Sequence, residues 1–348
     1  NHAEVSQIPA IVKKVFHKDV NWNGSQPHNQ IRGIDALITD FWEPLRHSFP
    51  DIRRDADILI GGVGSDGDDW VSGMGYLNGT FVHDWLGIPA TGKKTHIHFG
   101  QFFVMRDGKV AESYCILDIL SVFKQAGFQV LPNALGREGG KVQKPRSGDG
   151  ILLMEQDELE GRKSKQLVEA MWNGLMRYVR ERDMENMDTM EQQHYWHPDF
   201  HWMGPTGIGS THCIQEFQDF HQRPWLLGYG DRGLDVDRGG RDMGLIGEGH
   251  YACGGIWNQE FSYHHGQYQD IPATGKLMKL RDFDWYKRDG NRLIQNWIPI
   301  DIIDLFKQLD VDLFDRMHRQ HELRKRGINW WDLPVDGLDA MANSRRKY

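Results

Sequence analysis

Ile88-Pro-Ala-Thr-Gly-Lys93 recurs 183 residues further on as Ile271-Pro-Ala-Thr-Gly-Lys276. Outward from this pair, Arg106-Asp-Gly108 recurs as Arg288-Asp-Gly290, and Asp118 in Ile-Leu-Asp-Ile-Leu matches Asp301 in Pro-Ile-Asp-Ile-Ile. Upstream, His17-Lys-Asp-Val-Asn-Trp22 matches His197-Pro-Asp-Phe-His-Trp202, with Gly24 and Gly204 two residues after each Trp. A single six-residue identity can arise by chance. Four blocks in one order at nearly constant offset read as a tandem duplication of one module. The length of 348 residues agrees, since a domain takes roughly 100–200.

Each module reads as helices followed by long strands. A helix is predicted at 164–181, where Leu167, Met171, Leu175 and Tyr178 recur at helical spacing. A second is predicted at 34–47 and again at 211–221, with Leu37, Phe41 and Leu45 as one stripe. Residues 95–105 and 277–286 are rich in aromatic and branched side chains and end in Arg-Asp-Gly, a hairpin signal. Their returning arms are 110–117 and 292–300. Helices with long hairpins on a curved sheet indicate an α+β fold, not a doubly wound one. The expected division is a first module at 1–130, a linker at 131–158, a second module at 159–310 and a helical tail at 311–348. The stretch 131–150 carries Pro132, Gly136, Gly139, Gly140, Pro145, Gly148 and Gly150, and is long enough to have a packing role. The tail helix is expected at about 305–326, followed by Asn329-Trp-Trp-Asp332 and a basic end. It would pack on a module or on a second subunit.

Composition narrows the function. Lys plus Arg is 41 and Asp plus Glu 49, a net charge of −8 without a basic tract, which argues against nucleic-acid or anionic-membrane partners. No apolar run approaches a membrane span, and Asn1 to Gln7 do not read as a signal peptide. Cys115, Cys213 and Cys253 are far apart and form no CxxC pair, so a reducing, cytoplasmic setting is expected. The 13 Trp, 10 Tyr, 16 Phe and 17 His exceed what a simple core requires.

The first half resembles the SnoaL-like polyketide cyclase family of the NTF2-like superfamily. The matching pattern is Trp22-x-Gly24, a helix ending in Phe49-Pro-Asp51, Gly79-Thr80, Ile88 to Lys93, Arg106-Asp-Gly-Lys-Val-x-Glu112 and the Asp118 that follows. The resemblance covers both halves apart from linker and tail. It implies two cones, each a curved antiparallel sheet around a pocket closed by helices, forming a pseudo-dimer within one chain. The second half departs from the pattern: Trp225-Leu-Leu227 replaces Phe-Pro-Asp, Ser262-Tyr263 replaces Gly-Thr, and Gly290-Asn-Arg-Leu-Ile-Gln295 replaces Gly-Lys-Val-x-Glu. The reaction therefore does not carry over with the fold.

Asp118 and Asp301 are the first candidates for chemistry. Each lies in an apolar run, where a carboxylate is costly unless hydrogen-bonded or used, and burial moves a carboxyl toward the range of a general acid/base. The resemblance implies an acid/base role at this position. The alternative is an N-cap for the helix that follows. Asp282 and Asp284 share one face of a strand, with Arg281, Phe283 and Trp285 on the other, and could converge in a pocket or form a solvated face. His96 and His98 share a face of the first module's strand, with His83 across a turn. His98 would suit proton transfer and His96 and His83 substrate contact. No Cys, Asp or Glu completes a metal set at matching spacing, so no metal and no cofactor are expected. His264-His265 points to alternate faces, His318-Arg-Gln-His321 lacks the His-Glu-x-x-His order, and Gly62-Val-Gly-Ser-Asp-Gly67 is not followed by a helix, so it reads as a turn. Tyr114 shares strand parity with Asp118, and Trp297 with Asp301. With Asn296, His264, Trp22 and Trp202 they complete the expected substrate-contacting set.

The expected activity is cofactor-independent general acid/base catalysis on a small carbonyl-containing, polyhydroxylated or aromatic molecule, of cyclase, isomerase or dehydratase type. In this reading Asp118 or Asp301 moves a proton beside a carbonyl while His98, Asp282, Asp284 and Asn296 position or polarise. The alternatives are a non-catalytic small-molecule binder and an epoxide hydrolase. A homodimer through the tail is the one protein partner expected.

Overall fold

In a computed structural model, which describes residues 7–181, 187–230 and 239–329, the chain builds two sheets. The first comprises β1 (Phe16–Gly24), β2 (Gln30–Arg32), β3 (Arg53–Val63), β4 (Asp69–Thr80), β5 (Lys94–Arg106) and β6 (Lys109–Leu117), in the order β2-β1-β6-β5-β4-β3. The second comprises β7 (Trp196–Met203), β8 (Thr211–His212), β9 (Arg241–Asp242), β10 (Ile246–Glu248), β11 (Tyr251–Tyr263), β12 (Leu277–Asp289) and β13 (Arg292–Trp297). Its order is β8-β7-β13-β12-β11-β10, with β9 on β11. The β5–β6 hairpin closes through Asp107 and Gly108 at φ +50° and +71°, the left-handed pair that suits the twist of an antiparallel hairpin. Of the stretch 62–67, Gly62 and Val63 end β3 and residues 64–67 make the hairpin turn to β4.

The sheets are mixed rather than purely antiparallel. β1 runs parallel to β6, and β7 parallel to β13. Parallel neighbours need a crossover, and here the intervening helices and hairpins supply it. In the first module α1 (Ile8–Val15) precedes β1; α2 (Ile34–Leu37) passes through a π-helical turn, Ile38–Trp42, into α3 (Glu43–Ser48); and α4 (Ile119–Gln125) follows β6. In the second, α5 (Glu158–Glu181) and α6 (Gln192–Tyr195) precede β7. The expected helix at 211–221 starts only after β8: α7 (Cys213–Phe217), a π-helical turn at Gln218–Gln222, then α8 (Arg223–Gly228). The C-terminal helix is split into α9 (Ile302–Gln308) and α10 (Leu313–Lys325). Asp310 turns at φ +63° between them, and Asp312 caps the second by accepting from the Phe314 and Asp315 amides.

Side-chain alternation divides each sheet into two faces. On β5, Ile97, Phe99 and Phe103 join the core under the helices, while Phe102 and Val104 turn toward the other module. On β12, Leu280 and Tyr286 face the helices, and Phe283 and Trp285 face the other sheet. The modules therefore pack sheet against sheet. Phe102 lies 5.0 Å from Phe283 and 5.4 Å from Trp285 between ring centres, and Tyr114 lies 5.6 Å from Trp257. Gly100 permits the close approach, because a Cβ there would come within 2.8 Å of the Trp285 ring. The aromatic surplus thus fills two cone interiors and the layer between them.

The linker is packed, not free. Leu59 donates to the Gly150 carbonyl, the Trp297 indole donates to the Gln143 carbonyl, and Asp149 accepts from Tyr251 and Lys287. The tail helix α10 lies on the chain's own modules. Phe314 meets Phe123, Gln320 donates to the Gln129 carbonyl, and Arg316 donates to Val130 and pairs with Asp270. Trp330, Trp331, Asp332 and the basic end lie outside the described residues. Among the described residues, no helix is long and apolar enough to cross a membrane.

Candidate active site

The second cone encloses a cavity of about 340 Å³, and the inward alternation of β12 delivers Asp282 and Asp284 into it. On the neighbouring β11 the partner of Asp284 is Gly254 and that of Asp282 is Ile256. Gly254 leaves space above the Asp284 carboxylate; a Cβ there would lie 3.1 Å from the Trp172 indole. Asn296, inward on β13, donates to Asp284 Oδ1 at 2.8 Å. Two residues along β12, the Tyr286 hydroxyl accepts from the Trp172 indole at 3.0 Å. Burial, then the charge of Asp284, hold that phenol well above its ordinary range, and a hydrogen bond to Asp284 adds to the shift.

Apolar and aromatic side chains form the rest of the wall. Trp172 and Leu175 come from α5, and Phe217, His221 and Trp225 from the bent helix of the second module. His221 stacks on Trp202 at 4.1 Å. Gln222 also lines the cavity, and its Oε1 is buried without a partner. A mostly apolar cavity lined by Asp242, Asp282 and Asp284, with the Asn296 amide and the Tyr286 phenol bonded to Asp284 behind its wall, can hold a small aromatic molecule and move its protons. Among the described residues, no group of three or more His, Cys, Asp or Glu is placed to hold a metal ion.

Asp118 and Asp301 occupy a different place. Each caps the helix after it: Asp118 accepts from the Ser121 amide at 3.0 Å, and Asp301 from the Asp304 amide at 3.2 Å. Each also reaches across to the other module. Asp118 accepts from the Thr206 amide (3.2 Å) and hydroxyl (2.7 Å), and Asp301 accepts from the Gln26 amide (2.9 Å). Thr206 and Gln26 stand four residues after Trp202 and Trp22, so the two contacts form a reciprocal clasp. Asp301 is further paired with Arg281 at 3.1 Å. Burial raises both carboxyls, Asp301 to about 6, against the lowering pull of their donors. The capping reading thus describes the geometry of both, and neither lines the second cone.

The remaining candidates separate. His96 and His98 line an intermodule groove together with Asp118, not the first cone, because β5 turns them outward. Tyr114 and Trp297 are buried between the sheets, where the Tyr114 hydroxyl donates to Glu112 and the Trp297 indole to Gln143. Shared parity with Asp118 and Asp301 placed them on the intersheet face rather than in a pocket. Trp22 and Trp202 are core: each ring lies against the glycine two residues on. His83 is exposed and stacked on His47 at 4.3 Å, and His264 is buried, with Nδ1 bonded to Thr274. None of these six lines either cavity. Tyr286 and Trp172 were missed. Carrying the Asp282–Asp284 alternation one step further reaches Tyr286, and Trp172 lies between the helical positions Met171 and Leu175. Gln222 and His221 gave no sequence signal, since the π-helical turn shifts their register.

Residues 2–126 match the sequence model of the SnoaL-like polyketide cyclase family. No curated protein gives a significant match. Among solved structures, the chain is similar to TsrD from Streptomyces laurentii, at 22% identity over 36% of this chain and 88% of that one, with a TM-score of 0.31. A SnoaL-like polyketide cyclase from Agrobacterium tumefaciens C58 matches at 19% identity over 35% and 87%, with a TM-score of 0.28. An NTF2-like protein from Burkholderia thailandensis E264 matches at 21% over 34% and 83%, with a TM-score of 0.27.

Proposed function

We propose, from the premise that the N-terminal module is a SnoaL-like polyketide cyclase module, that the second module's cone is the acid/base active site of a cofactor-independent enzyme. Its substrate is a small aromatic or polyhydroxylated molecule with a carbonyl group. The observation that carries this reading is that Asp282 and Asp284 line an aromatic-walled cavity while Asn296 and Tyr286 bond to Asp284 from behind its wall. Asp284, held by Asn296 and Tyr286, is the base that takes a proton from the carbon beside the carbonyl. Asp282, protonated at the start of the step, donates to the carbonyl oxygen as the enolate forms. Return of the proton at another position gives isomerisation. Attack of the enolate carbon on a second carbonyl gives ring closure, and loss of a β-hydroxyl gives dehydration. Asp118 and Asp301 hold the modules together.

The test is deuterium wash-in at the α-carbon of a panel of aromatic ketones and β-dicarbonyls in D2O, followed by NMR. At least one compound should exchange faster with the protein than without it, and Asp284→Asn should lower that rate about 10²–10⁴-fold. Exchange unchanged in both Asp284→Asn and Asp282→Asn refutes the proposal.

A further inference from the structure

A second cavity, of about 450 Å³, opens where β4 and β5 of the first module meet β7 of the second, with residues 137–143 of the linker as one wall. Its basic side chains are His96, His98, Lys124, Arg137, Lys141 and His201, against two carboxylates, Asp118 and Glu138. Both carboxylates are already engaged: Asp118 in the clasp, Glu138 with Lys124 and the Gly207 amide. Arg137 is held by both oxygens of Glu216. Three other groups keep unused capacity.

His98 is 5% exposed, and its Nε2 is buried without a partner. The Lys141 ammonium rests 4.9 Å from the centre of the Tyr76 ring and donates to Asn78, with no carboxylate in ion-pair range among the described residues. The Tyr76 hydroxyl accepts from the Val142 amide at 2.6 Å, and its own proton has no acceptor among the described residues. A buried polar atom left unpaired in a polar, roomy cavity marks a place where something else supplies the partner. Burial keeps the His98 ring at about 4, so at neutral pH it offers one donor and one acceptor and no charge.

We propose that this intermodule groove binds a small hydroxy acid, its carboxylate on Lys141 and the Tyr76 hydroxyl, and a neutral oxygen of the ligand on His98. Lys141, a cation without a carboxylate partner among the described residues, selects an anion, and the neutral imidazole selects a hydroxyl or carbonyl beside it. The walls come from both modules and the linker, so the acid bridges the module junction. The site is separate from the second cone.

The experiment titrates lactate, gluconate and 3-hydroxybenzoate into the full chain at neutral pH by calorimetry and by histidine-ring NMR, with methyl 3-hydroxybenzoate as the uncharged control. At least one acid should bind, perturb the His98 ring, and bind at least about tenfold more weakly to Lys141→Met and to His98→Phe. Lys141 is peripheral enough that its variant reports even if the His98 variant fails to fold. The proposal is overturned if none of the acids binds more tightly than about 10 mM, if the methyl ester binds as well as its acid, or if Lys141→Met binds as the wild type does. Binding that survives Lys141→Met but is lost in Gly254→Leu would place the acid in the cone and overturn it equally.

Discussion

Replacing Asp118 by Ala removes three hydrogen bonds, one that caps α4 and two that tie it to the second module. The Ser121 amide loses its cap, worth about 1 kcal/mol. The Thr206 amide and hydroxyl lose a charged acceptor, about 1.5 kcal/mol each at the low end for bonds to an ionised group. The low end applies because burial raises the Asp118 carboxyl, so desolvation offsets part of what the donors contribute. The sum is about 4 kcal/mol. Partial rescue of the Ser121 and Thr206 groups by water entering the adjacent cavity brings the expected loss to about 3 kcal/mol. Urea denaturation followed by Trp fluorescence measures it, because Trp residues lie in both cones and in the layer between them. Asp118→Asn should lose less, and a double-mutant cycle with Thr206→Ala should show a coupling of about 0.5–2 kcal/mol. A loss under about 1 kcal/mol, or no coupling to Thr206, refutes the clasp.

The other predictions concern separate features. Gly204→Ala should cost about 3 kcal/mol or more, since the new methyl would overlap the buried Trp202 ring; thermal unfolding reads the loss, and a tolerated substitution would show that the ring can move. For Asp301 the folded state binds its proton more tightly than the unfolded chain, with the carboxyl near 6 against an ordinary value of about 3.9. Its contribution is therefore complete below about pH 4 and is lost as pH rises through 6, on the order of 2–3 kcal/mol. Asp301→Asn should flatten the fall in stability over that window even while lowering stability overall, as calorimetry from pH 4 to 7 would show. Gly254→Leu should fill the second cone and abolish α-carbon exchange while leaving the fold's circular dichroism unchanged.

The two-module architecture was legible because the repeated blocks fall at turns and strand ends, where residue type is dictated by backbone geometry. Arg-Asp-Gly closes the β5–β6 hairpin through two positive-φ residues, and Trp-x-Gly pairs an indole with the glycine that makes room for it. Strand alternation placed Asp282 and Asp284 on one face, but alternation alone does not say which face is the cone. Asp118 and Asp301 show the consequence. An apolar run around a carboxylate signals burial, and burial at a helix cap between two modules looks the same in sequence as burial inside a cone. The partners that decide the matter, Thr206 and Gln26, are 88 and 275 residues away. The parallel β1–β6 and β7–β13 pairs and the π-helical turns also depend on tertiary packing, and neither leaves a local periodicity.

The central claim is that proton transfer occurs in the second cone and that the clasp is structural. The direct measurement compares α-carbon deuterium exchange on one accepted ketone for wild type, Asp284→Asn and Asp118→Asn, at a temperature where all three are folded. The account predicts that Asp284→Asn loses the activity and keeps wild-type stability to within about 1 kcal/mol, whereas Asp118→Asn keeps the activity and loses stability. Exchange abolished in Asp118→Asn and retained in Asp284→Asn would contradict it.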